Sequence, residues 1–289
     1  MAEQDVLRRF LFADIGIRGE WVKLTQSWQV ARQNQIDDNN ALLQFGQALA
    51  AVVMLSATIK FKGSMILQAQ GTGALKTLVA QATHNRHIRG LIRSNGLVPS
   101  GSLQDMFGPG RLVITIEPDD SEPYQGIVEL MGENLAAALE TYFRNSEQLN
   151  TRLWIFASAT QVAGLLLQEL PEQEGVQSDW ERVEMLASTV TAQEMLALDS
   201  EQMLYRLFNE EKIRLFEPEA VSYQCSCSRQ RIERTLRALG RSELYDILQE
   251  RSLIEVSCEF CNAQYHFDTV DVELLLSQDG IMTDSETRH

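Results

Sequence analysis

The sequence predicts an α+β fold in three parts: an N-terminal mixed α/β core domain with a long buried helix, a helical acidic linker and a small C-terminal zinc-binding module. Three observations support this division. Short runs of strand-forming residues recur through the N-terminal half and are separated by turn signals. One uncharged stretch is long enough for a central helix. All four cysteines lie in the last quarter of the 289-residue chain.

The core domain is expected over residues 1–171. Strands are predicted at residues 10–15, 21–26, 65–69, 77–82, 111–117, 125–130 and 153–158. Turn signals such as Gly108-Pro-Gly110 bound these segments. Two helices, residues 40–59 and 134–143, interrupt the strands. Strands in groups with inserted helices favour α+β over a regular βαβ alternation.

The uncharged stretch between Asp38 and Lys60 also has the length of a membrane span. Its asparagine and glutamine side chains would be costly in hydrocarbon, so we expect a helix buried inside a water-soluble domain. The first ten residues lack the basic-then-apolar order of a secretory signal, and a cytoplasmic location is expected. In a reducing compartment, metal binding or redox sensing is favoured over permanent disulfides.

An acidic linker is expected over residues 172–222, after a composition change at Pro171. A capping box of Thr191 and Glu194 predicts the start of its second helix, and Ser200 is predicted to cap a third. Apolar residues recur at helical spacing: Trp180, Val183, Leu186, Ala187, Val190, Met203, Leu204, Leu207 and Phe208. Two short strands, residues 212–216 and 221–224, follow. Such short helices need a surface to dock on, and both an ordinary helical layer and a conditionally folded linker remain open.

The C-terminal module, residues 223–289, has a regular pattern of helix and strand signals. Ser228 is predicted to cap a helix that ends at Gly240, and Ser242 to cap the next one. Strands are predicted at 253–257 and 265–267, a last helix at 270–277, and a disordered tail beyond Asp279.

Two close cysteine pairs, Cys225-Ser-Cys227 and Cys258-Glu-Phe-Cys261, are separated by thirty residues. Four thiolates at this spacing can bind one tetrahedral zinc ion. His266 alternates with Tyr265 and Phe267 in a strand pattern and is not expected to be a ligand. His84 and His87 lie among arginines and are expected at the surface.

The size of the module makes its fold depend on the metal. Fewer than about 70–80 residues rarely form a sufficient core without a staple, and zinc contributes on the order of 10–16 kcal/mol in small metallo-domains. Disulfides within either cysteine pair would close very short loops, which stabilise a fold least. Oxidation of the sulfurs is therefore expected to release the metal and unfold the module.

The net charge of −15 is unevenly distributed, with −2 over residues 1–170, −8 over 171–222 and −5 over 223–289. This balance repels phosphate backbones, so neither nucleic acid nor a membrane is expected as a partner. The arginine cluster from Arg229 to Arg241 leaves one alternative open, a constitutive zinc module that binds nucleic acid or a protein partner. A thiol-disulfide oxidoreductase is a third reading, but no helix is predicted to begin at Cys258. Without a Walker pattern or a nucleophile elbow, no enzyme is expected and no catalytic residues are assigned.

The motifs Tyr-Gln-Cys225-Ser-Cys227-Ser-Arg and Cys258-Glu-Phe-Cys261-Asn, placed after an acidic linker, closely resemble the bacterial 33-kilodalton heat-shock protein family. The regions Arg18-Gly-Glu-Trp21, Gln70-Gly71-Thr-Gly73 and Tyr205-Arg-Leu-Phe208 look similar as well, as does the helix at 39–59. The resemblance covers essentially the whole chain, with no departure at the four cysteines.

This resemblance implies a redox-regulated, ATP-independent holdase chaperone. In its reduced form it would hold one zinc ion through Cys225, Cys227, Cys258 and Cys261 and be inactive. Oxidant, aided by unfolding stress, would form the disulfides Cys225–Cys227 and Cys258–Cys261 and release the zinc. The module and the linker would then unfold, and the protein would form a homodimer and bind unfolding client polypeptides.

Overall fold

The computed structural model of the protein describes residues 3–170 and 177–277. These residues form two compact units that divide between Gln224 and Cys225. The described part of the linker, residues 177–222, belongs to the first unit. A separate behaviour of the linker, with boundaries at 171 and 222, stays a prediction.

Two six-stranded sheets form the frame of the N-terminal unit. The strands of the first sheet are β1 (Val6–Phe12), β2 (Ile17–Leu24), β8 (Thr151–Ala157), β9 (Val162–Glu169), β10 (Ile213–Leu215) and β11 (Glu219–Ala220). Their order is β10-β1-β2-β9-β8, with β11 also on β1. The strands of the second sheet are β3 (Gly63–Gly71), β4 (Leu75–Thr83), β5 (His87–Ser94), β6 (Gly110–Pro118), β7 (Tyr124–Glu129) and β12 (Ser222–Tyr223), ordered β12-β5-β4-β3-β6-β7. All pairings are antiparallel except β12 with β5.

The helices of this unit are α1 (Gln26–Arg32), α2 (Asn39–Thr58), α3 (Leu103–Phe107), α4 (Leu135–Tyr142), α5 (Gln177–Ala187), α6 (Ala192–Ala197) and α7 (Ser200–Phe208), with one π-helical turn at Phe143–Glu147. Helix α2 packs between the sheets, in contact with strands of both. It is long and apolar enough to cross a membrane, yet 78% of its most apolar window is buried by the protein. The prediction of a long buried helix is therefore confirmed.

The opposite face of the first sheet carries a second apolar cluster, and the linker helices supply half of it. Phe10, Phe12 and Trp21 of the sheet pack there against Trp180 of α5 and Phe208 of α7. The rings of Phe12 and Phe208 meet edge to face, with centroids 5.1 Å apart. The central strands β1, β2 and β9 are thus covered on both faces, and the linker helices are an ordered layer in this structure.

Gly19, in the Arg18-Gly-Glu-Trp21 motif, makes this aromatic packing possible. A Cβ at this position would lie only 2.1 Å from Cζ of Phe10. A larger residue would displace Phe10, whose ring lies 6.5 Å from that of Phe208.

Elements α1, α3, β5 and β9 of the core were not predicted. β5 is interrupted by Gly90 and by polar side chains, so its sequence lacks the composition of a strand. β9 lies between two apolar layers and shows a continuous apolar run instead of an alternation. α1 is short, and its Thr25 N-cap makes no side-chain capping bond.

The C-terminal unit consists of α8 (Arg229–Leu239), α9 (Arg241–Arg251), the hairpin of β13 (Ile254–Ser257) and β14 (Gln264–Phe267), and α10 (Thr269–Ser277). Seven buried apolar side chains form its core: Leu236, Leu244, Leu248, Ile254, Phe267, Val272 and Leu275. The helix and strand order agrees with the prediction. The predicted disordered tail lies outside the described residues.

Two capping predictions were wrong. Asp199, not Ser200, caps α7, and its carboxylate accepts a hydrogen bond from the backbone of Gln202. The acidic side chain reaches the exposed amide, while Ser200 becomes the first helical residue. α9 begins at Arg241 directly after Gly240, which has a positive φ of 85°, and Ser242 lies inside the helix.

Candidate metal centre

The β13–β14 hairpin presents Cys258 and Cys261 on a tight turn. The amide of Cys258 donates to the carbonyl of Ala263, and the amide of Asn262 donates to the carbonyl of Cys258. Asn262 closes the turn with a positive φ of 57°, which asparagine tolerates better than most residues. The turn therefore orients both sulfurs from a short, hydrogen-bonded loop. No helix begins at Cys258, as the sequence predicted.

Cys225 and Cys227 lie on the segment that leads into α8. Ser228 caps this helix, and its hydroxyl accepts from the amide of Arg231. The guanidinium of Arg231 in turn donates to the hydroxyl of Ser226, between the two cysteines. The first turn of α8 thus holds the first cysteine pair in place.

The four sulfur atoms lie within 4.8 Å of one another. The sulfurs of Cys225 and Cys258 are 3.6 Å apart, and those of Cys227 and Cys261 are 3.4 Å apart. Tetrahedral zinc with Zn–S bonds of about 2.3 Å requires sulfur separations of about 3.8 Å. Both the donor set and the spacing therefore fit one tetrahedral ion, and the soft thiolates favour zinc over the hard cations.

Hydrogen-bond donors surround the sulfurs. The hydroxyl of Tyr265 donates to the sulfur of Cys227 over 3.2 Å. The amide of Cys227 stabilises the thiolate of Cys225, and that of Ala263 stabilises the thiolate of Cys261. Groups that donate to sulfur favour its negative form, which is the form that binds a metal.

Burial and hydrogen bonding separate the pKa values of Cys225, Cys227 and Cys261. Burial acts to raise the pKa of Cys227, but hydrogen bonds from Tyr265 and the neighbouring thiols outweigh it and lower that pKa to about 7. Burial raises the pKa of Cys225, and it raises that of Cys261 to about 12. Like charges this close cannot all form in the absence of a compensating cation. A divalent ion is thus the natural complement of this sulfur cluster.

Arg229 joins three elements beside the sulfurs. Its guanidinium contacts Asp271 of α10 over 2.7 Å and donates to the carbonyl of His266 over 2.9 Å. It also lies 4.2 Å from the ring centroid of Phe267, a cation–π contact. Arg229 therefore has a structural role, since it joins α8 to β14 and α10.

The structure brings the four predicted cysteines together and leaves the histidines out of the cluster. His266 lies in β14 beside Glu255, with 3.6 Å between its Nε2 and a carboxylate oxygen of Glu255. His84 and His87 belong to the N-terminal unit. Sequence reasoning missed the contact of Tyr265 with Cys227, although the alternation of β14 indicates which strand residues share a face.

Comparisons with known proteins agree with the site and the fold. Residues 5–268 match the family described as "Hsp33 protein". The chain is 57% identical over 289 residues to the 33 kDa chaperonin of Nitrosococcus oceani, covering 100% of both proteins. It is 42% identical over 275 residues to the 33 kDa chaperonin of Shewanella putrefaciens, covering 95% of this chain and 96% of the relative.

A solved structure shares the fold. The crystal structure of the 33 kDa chaperonin from Thermotoga maritima superposes with a TM-score of 0.82 at 21% identity, covering 96% of this chain and 99% of that one. The match of the family model over most of the sequence, together with full-length relatives of high identity, shows that this chain belongs to the Hsp33 family.

Proposed function

We propose that the protein is an ATP-independent holdase chaperone whose activity is switched on by oxidation. The single observation that carries this proposal is the cluster of four sulfurs in a module whose described residues, 225–277, bury a core of seven apolar side chains. Zinc bound there supplies a structural cross-link and no chemistry. The reduced protein, with all four cysteines as ligands, is the inactive form.

Oxidation removes the ligands in two balanced steps. In each step two thiolates give up two electrons and form one S–S bond, while one molecule of peroxide takes those electrons and two protons and becomes two molecules of water. We assign the bonds to Cys225–Cys227 and Cys258–Cys261, as the family resemblance implies. The distances do not select a pairing, since the shortest sulfur separations join Cys225 to Cys258 and Cys227 to Cys261.

Loss of the ligands removes the stabilisation that the module lacks in its own core. Disulfides in these short loops restrain the unfolded chain little, so the helices α8 to α10 lose their fold. Tyr223 of β12 pairs with Ile88 only two residues before Cys225. Unfolding of the module would therefore remove the ordered chain directly after the linker. The C-terminal end of the linker could then separate from the sheet.

The linker helices cover an apolar surface on one face of the first sheet. Val183 of α5 and Met203 of α7 are fully buried against the first sheet, and so is Trp21 of the sheet. Polar contacts also join these helices to the rest of the unit. The ammonium of Lys23 donates to the carbonyl of Leu198 over 3.1 Å, and the amide of Ser200 donates to Glu3. Two more are the ion pairs Arg8–Glu201 and Arg152–Glu184. Undocking would expose apolar side chains on both the linker and the sheet, and such patches bind unfolding polypeptides or a second copy of the chain.

The test follows metal, structure and activity in one sample. Bound zinc, far-UV circular dichroism, sedimentation and suppression of a denatured client's aggregation are measured before peroxide with mild heat, after it, and after reductant. We expect oxidation to release about one zinc ion per chain, lower helicity, produce a dimer and suppress aggregation, and reductant with zinc to reverse this. Peptide mapping identifies the disulfides.

Two variants control the experiment. Ser242→Ala, at an exposed position of α9, keeps all four sulfurs and should switch like the wild type, whereas Cys258→Ser should resemble the oxidised form without oxidant. Equal aggregation suppression by reduced and oxidised wild type would refute the switch. Metal retained after complete disulfide formation would refute the four-sulfur ligand set.

A further inference from the structure

A cavity of about 420 Å³ lies in the N-terminal unit at the C-terminal end of α2. Side chains from three regions line it: Arg9 of β1, Arg18 of β2, and Arg86 with His84 from the β4–β5 turn. The segment 56–61, which includes Lys60, closes the remaining wall. None of its ten lining residues is acidic, although the whole chain carries a net charge of −15.

Part of this positive charge is balanced by two acidic side chains that do not line the cavity. Glu219 contacts Arg9 over 2.6 Å and Arg86 over 3.0 Å. The fully buried Glu20 lies near Arg18, Arg9 and Arg86 and supplies a second carboxylate when ionised. Two carboxylates thus face four permanent cations, so the cavity keeps a positive surplus.

Among the described residues, Arg18 and Lys60 form no direct ion pair. Arg18 donates to the amide oxygen of Gln168 and, over 2.6 Å, to the carbonyl of Thr58, both of which are uncharged acceptors. Lys60 is exposed and has no ion-pair partner among the residues that the structure describes. Because neutral groups hold the side chain of Arg18 in place, its positive charge can act on a ligand without a rearrangement of the side chain.

We propose that this cavity binds an oxyanion of the phosphate class. Guanidinium groups match the geometry of phosphate oxygens, and a lysine adds a mobile point charge at the rim. The cavity is concave but open to solvent on one side, since only Ser56 and Arg86 of its ten lining residues are buried, so it can admit a compact anion or the end of a larger one. An extended nucleic-acid backbone would instead need a basic surface, which the acidic chain does not offer.

The same phosphate chemistry could come from free inorganic phosphate or from a terminal phosphate of a chain of phosphates. Calorimetric titrations with inorganic phosphate and with tripolyphosphate distinguish the two sources. Both are run on the full-length reduced protein against sodium chloride at equal ionic strength. Backbone amide NMR shifts of residues 56–61 and 84–86 report whether the anion occupies this cavity.

Lys60 and Lys62 provide a matched pair of variants. Both side chains are exposed and carry the same charge two residues apart, but only Lys60 lines the cavity. Lys60→Glu should weaken phosphate binding by about tenfold or more, because it replaces a close attraction with a repulsion. Lys62→Glu changes the net charge equally and should weaken it by no more than about threefold, the size of a screened surface effect.

Binding lost in Lys60→Glu and retained in Lys62→Glu, with shifts confined to the cavity segments, would support the site. Three results would overturn it: a phosphate response no larger than that of chloride, equal losses in the two variants, or shifts elsewhere in the chain. Circular dichroism of both variants establishes that they fold. Preference for tripolyphosphate would assign the site to a terminal phosphate, and equal or weaker binding of it to the free ion.

Discussion

The two compact units differ in what holds them together. The N-terminal unit buries apolar side chains on both faces of a sheet and places an uncharged helix at its centre. The C-terminal unit buries seven apolar side chains and gathers four sulfurs beside them. We therefore expect the sheets and α2 of the first unit to keep their fold when the sulfurs are oxidised, and the fold of the second unit to depend on a metal at its sulfurs.

The linker occupies an intermediate position. Its helices are well packed against the first sheet, but on one face only, and their other face is exposed, with charged side chains of both signs and the apolar side chains of Met185 and Tyr205. Helices this short are not stable alone, so their order depends on docking. We therefore expect three levels of stability in the molecule, each of which can be tested separately.

The largest expected effect is that of metal removal. Chelation of the reduced protein, or Cys258→Ser, should unfold the C-terminal unit because zinc contributes on the order of 10–16 kcal/mol in such modules. Hydrogen exchange should show loss of protection in α8 to α10 and retention of it in α2. An apo form that keeps its protected amides in α8 would show that the seven-residue core suffices.

The next effect concerns the docking of the linker. Phe208 is only 2% exposed, and Phe208→Ala should destabilise the docked linker by about 3–5 kcal/mol through lost contacts and a cavity. Tyr205, on the same helix but 75% exposed, gives the control variant Tyr205→Ala. We expect faster hydrogen exchange in α5 to α7 and some chaperone activity without oxidant for the first variant only. Equal exchange rates in the two variants would contradict a docking role for Phe208.

The third effect is a pH dependence of the stability of the N-terminal unit, expected from the buried carboxyl group of Glu20. Burial raises the pKa of Glu20 to about 7 from an ordinary value of 4.5, and one of its oxygens lacks a hydrogen-bond partner. Between these values the folded state keeps a proton that the unfolded state has lost. The free energy of unfolding should therefore fall as pH rises through this window, by roughly 2–4 kcal/mol.

Urea denaturation between pH 5 and pH 8 measures this dependence. Glu20→Gln should flatten it, because the amide does not titrate. The exposed Glu117, changed to Gln, should leave the slope unaltered. A wild-type slope that survives in Glu20→Gln would assign the pH dependence to another group.

The smallest effect is expected at the edge of the sulfur cluster. Tyr265→Phe removes the hydroxyl that donates to Cys227 and should weaken zinc binding by about tenfold, the lower end for such supporting groups. Tyr245→Phe, in α9, is the matched control. A competition titration with a chromophoric chelator measures both. Identical affinities in the two variants would show that the hydrogen bond contributes nothing to metal binding.

Local sequence patterns predicted much of the C-terminal unit. The capping serine at 228, the glycine at 240 and the spacing of the cysteines act over a few residues, and each was found where expected. The long buried helix was also predictable, since twenty residues without charge leave few alternatives. Strand β9 was not, because burial on both faces removes the alternation by which strands are recognised.

By itself, the sequence determined which residues supply the sulfurs and that the chain has a large apolar core and an acidic, amphipathic linker. These properties follow from composition and spacing, which act within a few turns of chain. Only the tertiary structure decided that the linker helices cover the first sheet, that Tyr265 reaches Cys227, and that five basic side chains distant in sequence line one cavity. Such contacts depend on how strands pair across more than a hundred residues, and no local pattern encodes that pairing.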